Sequence, residues 1–170
     1  MSSELIHRAS LIRLLLTDCD GVLTDGTLPY LVSGDQVSCD SKVFHIHDGL
    51  GLKLAREAGL KTGIISGRNS PALTARAHEL KVDYLFQGND DKLNIYEQIL
   101  LAENLRDEQV AYIGDDLPDL PLLLRVGLAL APADAVSEVR ACAHLITQRC
   151  GGRGVVREAI EFILKAQDKQ

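Results

Sequence analysis

Short apolar runs alternate with amphipathic stretches along most of the chain. "LIRLLLT" (11–17), "KTGIIS" (61–66), "DYLF" (83–86), "QVAYIG" (109–114), "GLALA" (127–131) and "HLIT" (144–147) read as buried strands. Between them, "LGLKLAREAGL" (50–60), "SPALTARAHEL" (70–80), "DDKLNIYEQILLAENL" (90–105), "DLPDLPLLLRV" (116–126), "DAVSEVRACA" (134–143) and "GVVREAIEFILKAQ" (154–167) read as helices. Ser70 followed by Pro71 is a helix start, with a capping hydroxyl before a residue whose φ is already helical. Strands alternating with helices imply βαβ units. The predicted fold is therefore α/β, a Rossmann-like parallel sheet with helices on both faces.

One segment breaks this rhythm. Residues 27–48 alternate apolar and polar positions around Ser33-Gly34, which predicts a protruding β-hairpin over about residues 27–46. It is too short to form a second domain, and a chain of 170 residues suits a single one, spanning residues 1–170.

Composition narrows the function classes. A net charge of −6 argues against nucleic acid or an anionic membrane surface as partner. No apolar run reaches the length of a membrane span. The opening "MSSELIHRAS" lacks the apolar stretch of a secretion signal, so the expected location is the cytoplasm. Cys19, Cys39, Cys142 and Cys150 have neither CxxC nor zinc-ligand spacing, and are expected to be thiols in a reducing compartment.

The chemistry lies after the strands. In open α/β sheets, ligands bind outside the carboxyl ends of the strands. Asp18 and Asp20 follow the first predicted strand, and Ser66, Gly67 and Arg68 follow the second. Lys92 follows the third, and Asp115, Asp116 and Asp119 follow the fourth. Residues 18 and 20 share one side of an extended backbone. Several carboxylates at one edge cannot all stay ionised without a cation, and oxygen ligands alone select a hard ion such as Mg²⁺. Ser66 and Gly67 can offer donors to phosphate oxygens, and Lys92 a point charge. Such a set suits phosphoryl transfer, where catalysis is mostly positioning and charge stabilisation. A carboxylate nucleophile is one known route.

In this order, "DCDGVLTDG", "ISGR", the lysine of "NDDKL" and "GDDLPD" resemble the four motifs of the haloacid dehalogenase superfamily of phosphohydrolases. "FHIHDGLGLKL", "FQGNDDK", "AYIGDDLPDLP", "ADA" and "GGRGVVRE" extend the resemblance, over about residues 11–166, to its capless 3-deoxy-D-manno-octulosonate 8-phosphate phosphatases. The resemblance implies Asp18 as nucleophile, Asp20 as general acid and base, and Mg²⁺ held by Asp18, the Asp20 carbonyl and Asp115. It implies phosphoryl binding by Ser66 and Lys92, with Asp116 and Asp119 supporting the site. It implies a substrate-reading loop, His45-Ile46-His47-Asp48-Gly49, joined by Lys53, Arg68 and Arg76. It also implies a homotetramer whose hairpins pair, with Arg153 and Arg157 as candidates to approach a neighbouring site.

Two features depart from that group. The connection "LVSGDQVSCDSKVF" is longer than usual, and His47 stands where many members carry arginine. An imidazole holds a carboxylate less firmly than a guanidinium does. Both departures bear on which sugar is read, so a nine-carbon sugar acid 9-phosphate is the competing substrate. A non-catalytic assembly module is the remaining alternative. A signalling receiver domain is disfavoured, because it would place its phosphorylated aspartate after a middle strand.

Overall fold

The computed structural model describes residues 2–38 and 41–168. Among these residues the strands are β1 (Leu14–Thr17), β2 (Leu31–Ser33), β3 (Gln36–Ser38), β4 (Lys61–Ser66), β5 (Tyr84–Gln87), β6 (Val110–Ile113), β7 (Leu128–Ala131) and β8 (Leu145–Ile146). The helices are α1 (Ser3–Ser10), α2 (Ile46–Glu57), α3 (Pro71–Leu80), α4 (Lys92–Glu103), α5 (Leu120–Leu123), α6 (Ser137–Cys142) and α7 (Val155–Ala166).

Six strands form one parallel sheet in the order β5-β4-β1-β6-β7-β8. From β1 the chain builds outward through β4 and β5, then crosses back to β6 on the other flank. The order thus reverses at β1 and β6, where a doubly wound sheet opens a crevice at its carboxyl edge. Side-chain alternation splits the core into two layers. Leu15, Ile64, Ile113 and Leu130 face α2, α3 and α7, whereas Leu14, Leu16, Ile65 and Tyr112 face α4, α5 and α6. The fold class predicted from the periodicity is the one observed.

Several boundaries differ from expectation. Residues 11–13 precede β1 rather than belonging to it, and an unpredicted helix, α1, comes first. Ser2 caps α1, and the Gln167 side-chain amide donates to the Ala9 and Ile12 carbonyls, tying α1 to the end of α7. Among the described residues, the antiparallel hairpin pairs β2 with β3 around Gly34-Asp35. Cys39 and Asp40 lie outside the described residues. Helix α2 begins at Ile46, four residues early, because the His45 ring nitrogen accepts the His47 N–H and acts as N-cap. The expected recognition loop is therefore helix from Ile46 onward. Cys19, Cys142 and Cys150 are free thiols.

Candidate active site

Asp18 continues β1 by one residue. Its N–H donates to the Ile113 carbonyl at 2.9 Å, so the sheet fixes the backbone that carries it. Its carboxylate accepts the Cys19 N–H at 2.7 Å. The chain then turns sharply at Gly21, with φ +83°, a conformation that side chains disfavour. A Cβ there would also overlap the Asp115 carboxylate. The glycine of the first motif thus lets the loops after β1 and β6 touch.

After β6, a Cβ on Gly114 would collide with the Asp119 side chain. A single 3₁₀ turn over Leu117–Asp119 swings Asp119 back beneath the site, where it is 1% exposed. Both of its carboxylate oxygens are engaged. Oδ1 accepts from Lys92 Nζ at 2.7 Å and from the Tyr112 hydroxyl at 2.6 Å. Oδ2 accepts the Asp115 N–H at 2.9 Å and the Asp116 N–H at 3.4 Å. Asp116 is exposed at the cleft and accepts the Leu117 N–H at 2.7 Å.

Lys92 opens α4, where the helix dipole disfavours a cation. It is nevertheless 5% exposed, and its ammonium lies 3.1 Å from Asp18 and 2.7 Å from Asp119. Burial works against its charge, but the two carboxylates outweigh burial and hold its pKa above the ordinary lysine value. Burial and the Asp119 charge push the Asp18 carboxyl up to about 6. Burial, with the charges of Asp18, Asp119 and Asp116, pushes Asp115 up to about 8. These acids repel one another in the absence of a cation.

Asp18, Asp20, Ser66, Gly67, Arg68, Lys92, Asp115, Asp116 and Asp119 all line one cleft of about 320 Å³. A larger groove of about 820 Å³, beside α7 and β8, is mainly apolar; its acids are occupied, Glu57 with Lys53, Glu161 with Arg157 and Glu158 with backbone N–H groups. The acidic cleft is therefore the candidate active site on chemistry rather than size.

The remaining expected recognition residues do not reach this cleft within the chain. Asp48 is buried, and its carboxylate accepts the Arg157 N–H at 2.8 Å, bracing the start of α7. Desolvation raises its pKa, and its second carboxylate oxygen, Oδ2, has no hydrogen-bond partner among the described residues. Gly49 passes close to Arg76, whose guanidinium lies over the Phe44 ring and pairs with Glu79. His45 and His47 stack edge to face, Ile46 is exposed, and Lys53 pairs with Glu57 on the surface of α2. Arg153 pairs with Asp25 of its own chain, and Arg157 with Glu161. The GGRG segment packs on the loop after β1, its Gly152 N–H donating to Val22.

Two contributors are not among the expected site residues. Tyr112 is fully buried under Asp119 and Lys92, as an inward position of β6. Lys42 forms an ion pair with Asp20 from the segment leading into α2. In the sequence Tyr112 is only one more apolar residue of a strand, and Lys42 belongs to no motif.

The donor set fits a hard divalent cation. One carboxylate oxygen each from Asp18, Asp115 and Asp119 lies within 4.8 Å of the others. Asp115 Oδ1 is buried with no hydrogen-bond partner among the described residues. Since both Asp119 oxygens are already engaged, Asp18 and Asp115 are the carboxylates left to hold a cation.

Comparison with known proteins identifies the family. Residues 84–158 match the haloacid dehalogenase-like hydrolase family. The 3-deoxy-D-manno-octulosonate 8-phosphate phosphatase KdsC of Yersinia pestis is 41% identical over 99% of this chain and 88% of its own. The Escherichia coli enzyme of that name is 37% identical with the same coverage. The crystal structure of the Moraxella catarrhalis phosphatase, in complex with magnesium ion, phosphate ion and KDO, superposes with a TM-score of 0.92 at 37% identity, covering 99% of this chain and 94% of that one. The chain belongs to the KdsC-like phosphatases of the haloacid dehalogenase-like hydrolases.

Proposed function

We propose that this protein hydrolyses 3-deoxy-D-manno-octulosonate 8-phosphate to the free sugar acid and phosphate, in two displacements at phosphorus. Asp18 is the nucleophile: its carboxylate oxygen bonds to phosphorus as the bond to the sugar oxygen breaks, and Asp20 gives that oxygen a proton. Water then attacks phosphorus, Asp20 takes its proton, and the bond to Asp18 breaks. The observation that carries this reading is the Asp18 carboxylate beside the Lys92 ammonium, in a cleft that also presents Ser66 and Gly67. Ser66 and the Gly67 N–H bind the phosphoryl oxygens, and Lys92 offsets the charge that builds on them.

Mg²⁺ is the cofactor in this reading, held by Asp18, Asp115 and the backbone carbonyl of Asp20. When bound it supplies charge neutralisation between the acids and the phosphoryl group. Arg68, on the rim and 4.0 Å from Asp20, is the cation this chain offers to the sugar acid carboxylate. The other recognition residues need a second chain to meet a substrate, consistent with the homotetramer implied by the resemblance. Tyr30, Leu31, Val32 and Val43, exposed on and beside the hairpin, are the apolar surface available for such pairing. The assembled machinery argues against a non-catalytic module.

The test is phosphate release from the eight-carbon substrate, beside nine-carbon sugar acid 9-phosphates, with Mg²⁺ and with EDTA. Mg²⁺-dependent turnover of the eight-carbon compound, absent in Asp18→Asn, is expected. Preference for a nine-carbon compound would overturn the substrate, and turnover by the Asn variant would overturn the nucleophile.

A further inference from the structure

We infer that Lys42 is a positioning residue for Asp20, holding the proton-transferring carboxylate from behind the cleft; this rests on the role proposed for Asp20 above. The Lys42 side chain is 7% exposed, while the Asp20 side chain is 24% exposed and faces the cleft. Burying an ammonium is costly unless a counter-charge receives it. Here Asp20 Oδ1 receives it, and the other oxygen, Oδ2, lies 4.0 Å from Arg68 Nε. One carboxylate oxygen is thus pinned by a buried cation and the other looks toward an exposed one on the rim.

The residues on its carboxyl side hold Lys42 in place for this role. The segment from Ser41 alternates in burial, with Ser41 and Val43 outward and Lys42 and Phe44 turned in. Phe44 packs against the core and under Arg76, and His45 caps α2. The lysine therefore hangs from an anchored stretch two residues from a core contact. Lys42 is not among the described residues lining the cleft, so it meets Asp20 and not the space a substrate would fill. A bound phosphate ester would find Asp20 already aimed, which matters because misplacing a catalytic group by an ångström costs about a hundredfold.

A residue that acts through the general acid should matter most where the leaving group needs a proton. The value of kcat/KM reports events up to the first irreversible step, the transfer to Asp18. Replacing Lys42→Met should lower kcat/KM about tenfold to a hundredfold on 3-deoxy-D-manno-octulosonate 8-phosphate, where an alkoxide must be protonated. It should lower it far less on p-nitrophenyl phosphate, whose phenolate leaves unaided. Lys42→Arg should recover part of the loss. In an Asp20→Asn background, Lys42→Met should cost nothing more. Equal losses on both substrates, or losses that add to those of Asp20→Asn, would overturn the inference. So would a raised KM with unchanged kcat on the sugar phosphate alone, which would make Lys42 a substrate contact. Should Lys42→Met fold poorly by thermal melting, Lys42→Gln makes the same comparison. The two readings fail separately: an Asp20→Asn enzyme without leaving-group dependence refutes the role of Asp20, whereas one showing it beside a Lys42 variant that does not refutes only the inference.

Discussion

Asp119 and Asp116 carry the same charge three residues apart, yet the structure gives them opposite burdens. In Asp119→Asn one carboxylate oxygen becomes an NH₂ donor. If the remaining oxygen faces Lys92 and Tyr112, the NH₂ meets the N–H groups of Asp115 and Asp116; if the amide flips, it meets the ammonium and the hydroxyl. Either way donor opposes donor in a buried place. Breaking a buried ion pair by removing one partner costs about 3–5 kcal/mol. Two effects reduce this: Lys92 keeps Asp18 at 3.1 Å, and the repulsion Asp119 exerts on Asp18 and Asp115 disappears. A net loss of about 2–4 kcal/mol remains, which lowers Tm by about 5–15 °C for a chain of this size.

Activity should fall as well, by about a hundredfold in kcat, because Asp119 orients both Lys92 and the loop bearing Asp115. Asp116→Asn is the control. The hydrogen bond it accepts from the Leu117 N–H is of a kind asparagine makes equally well, so its stability should stay within about 0.5 kcal/mol of wild type. Thermal melts and phosphate-release kinetics on the two variants decide the matter. Equal behaviour of the pair, or a stable and active Asp119→Asn enzyme, would refute the assignment of Asp119 as the buried counter-charge.

The acids also dictate a pH response. Asp115 and Asp18 have folded pKa values raised above the unfolded 3.8, so the metal-free protein should be most stable in mild acid and lose stability as pH climbs through about 6 and about 8. Melts in EDTA at pH 6 and pH 8 should show a lower Tm at pH 8, and Mg²⁺ should narrow that gap; a higher Tm at pH 8 in EDTA would contradict the sign. Mg²⁺ binding, followed by titration calorimetry, should tighten with pH over the same interval, since a proton must leave for the cation to enter. Asp48→Ala should cost about 1–3 kcal/mol, by stripping a buried acceptor from the start of α7, while leaving kcat nearly unchanged; a large KM effect without destabilisation would contradict this and point to substrate recognition. Tyr112→Phe should lower Tm through loss of a donor to a charged oxygen, about 1.5–3 kcal/mol, with little change in KM.

The sequence is most informative where its signals are local. The strands are legible because buried parallel strands are apolar on both faces, and the acids stand out because polar residues end those runs. The start of α2 is not legible: "HIHD" offers no serine or threonine cap, and a histidine ring supplies the hydrogen bond instead. The contact of Asp48 with the Arg157 N–H is not legible either, because the two lie 109 residues apart along the chain. Asp116 and Asp119 look alike because the 3₁₀ turn that separates their directions depends on close packing against Gly114. Lys42 carries no signal at all, since its partner is fixed only by the anchoring of Phe44 and His45.

The balance of charge explains why the cleft suits a divalent ion. Asp18, Asp20, Asp115 and Asp119 converge there, with Lys92 and Lys42 as their buried cations. Lys92 serves Asp119 and Asp18 from below, and Lys42 serves Asp20 from behind. The carboxylates outnumber these ammonium groups and the Arg68 guanidinium on the rim, and the uncompensated charge shows at Asp18 and Asp115, the acids whose pKa values rise. A singly charged ion would offset less of the repulsion. A small divalent cation balances the excess and still has coordination positions left for phosphate oxygens and water. The same imbalance that strains the metal-free cleft is what makes it a place for an ion and a phosphoryl group together.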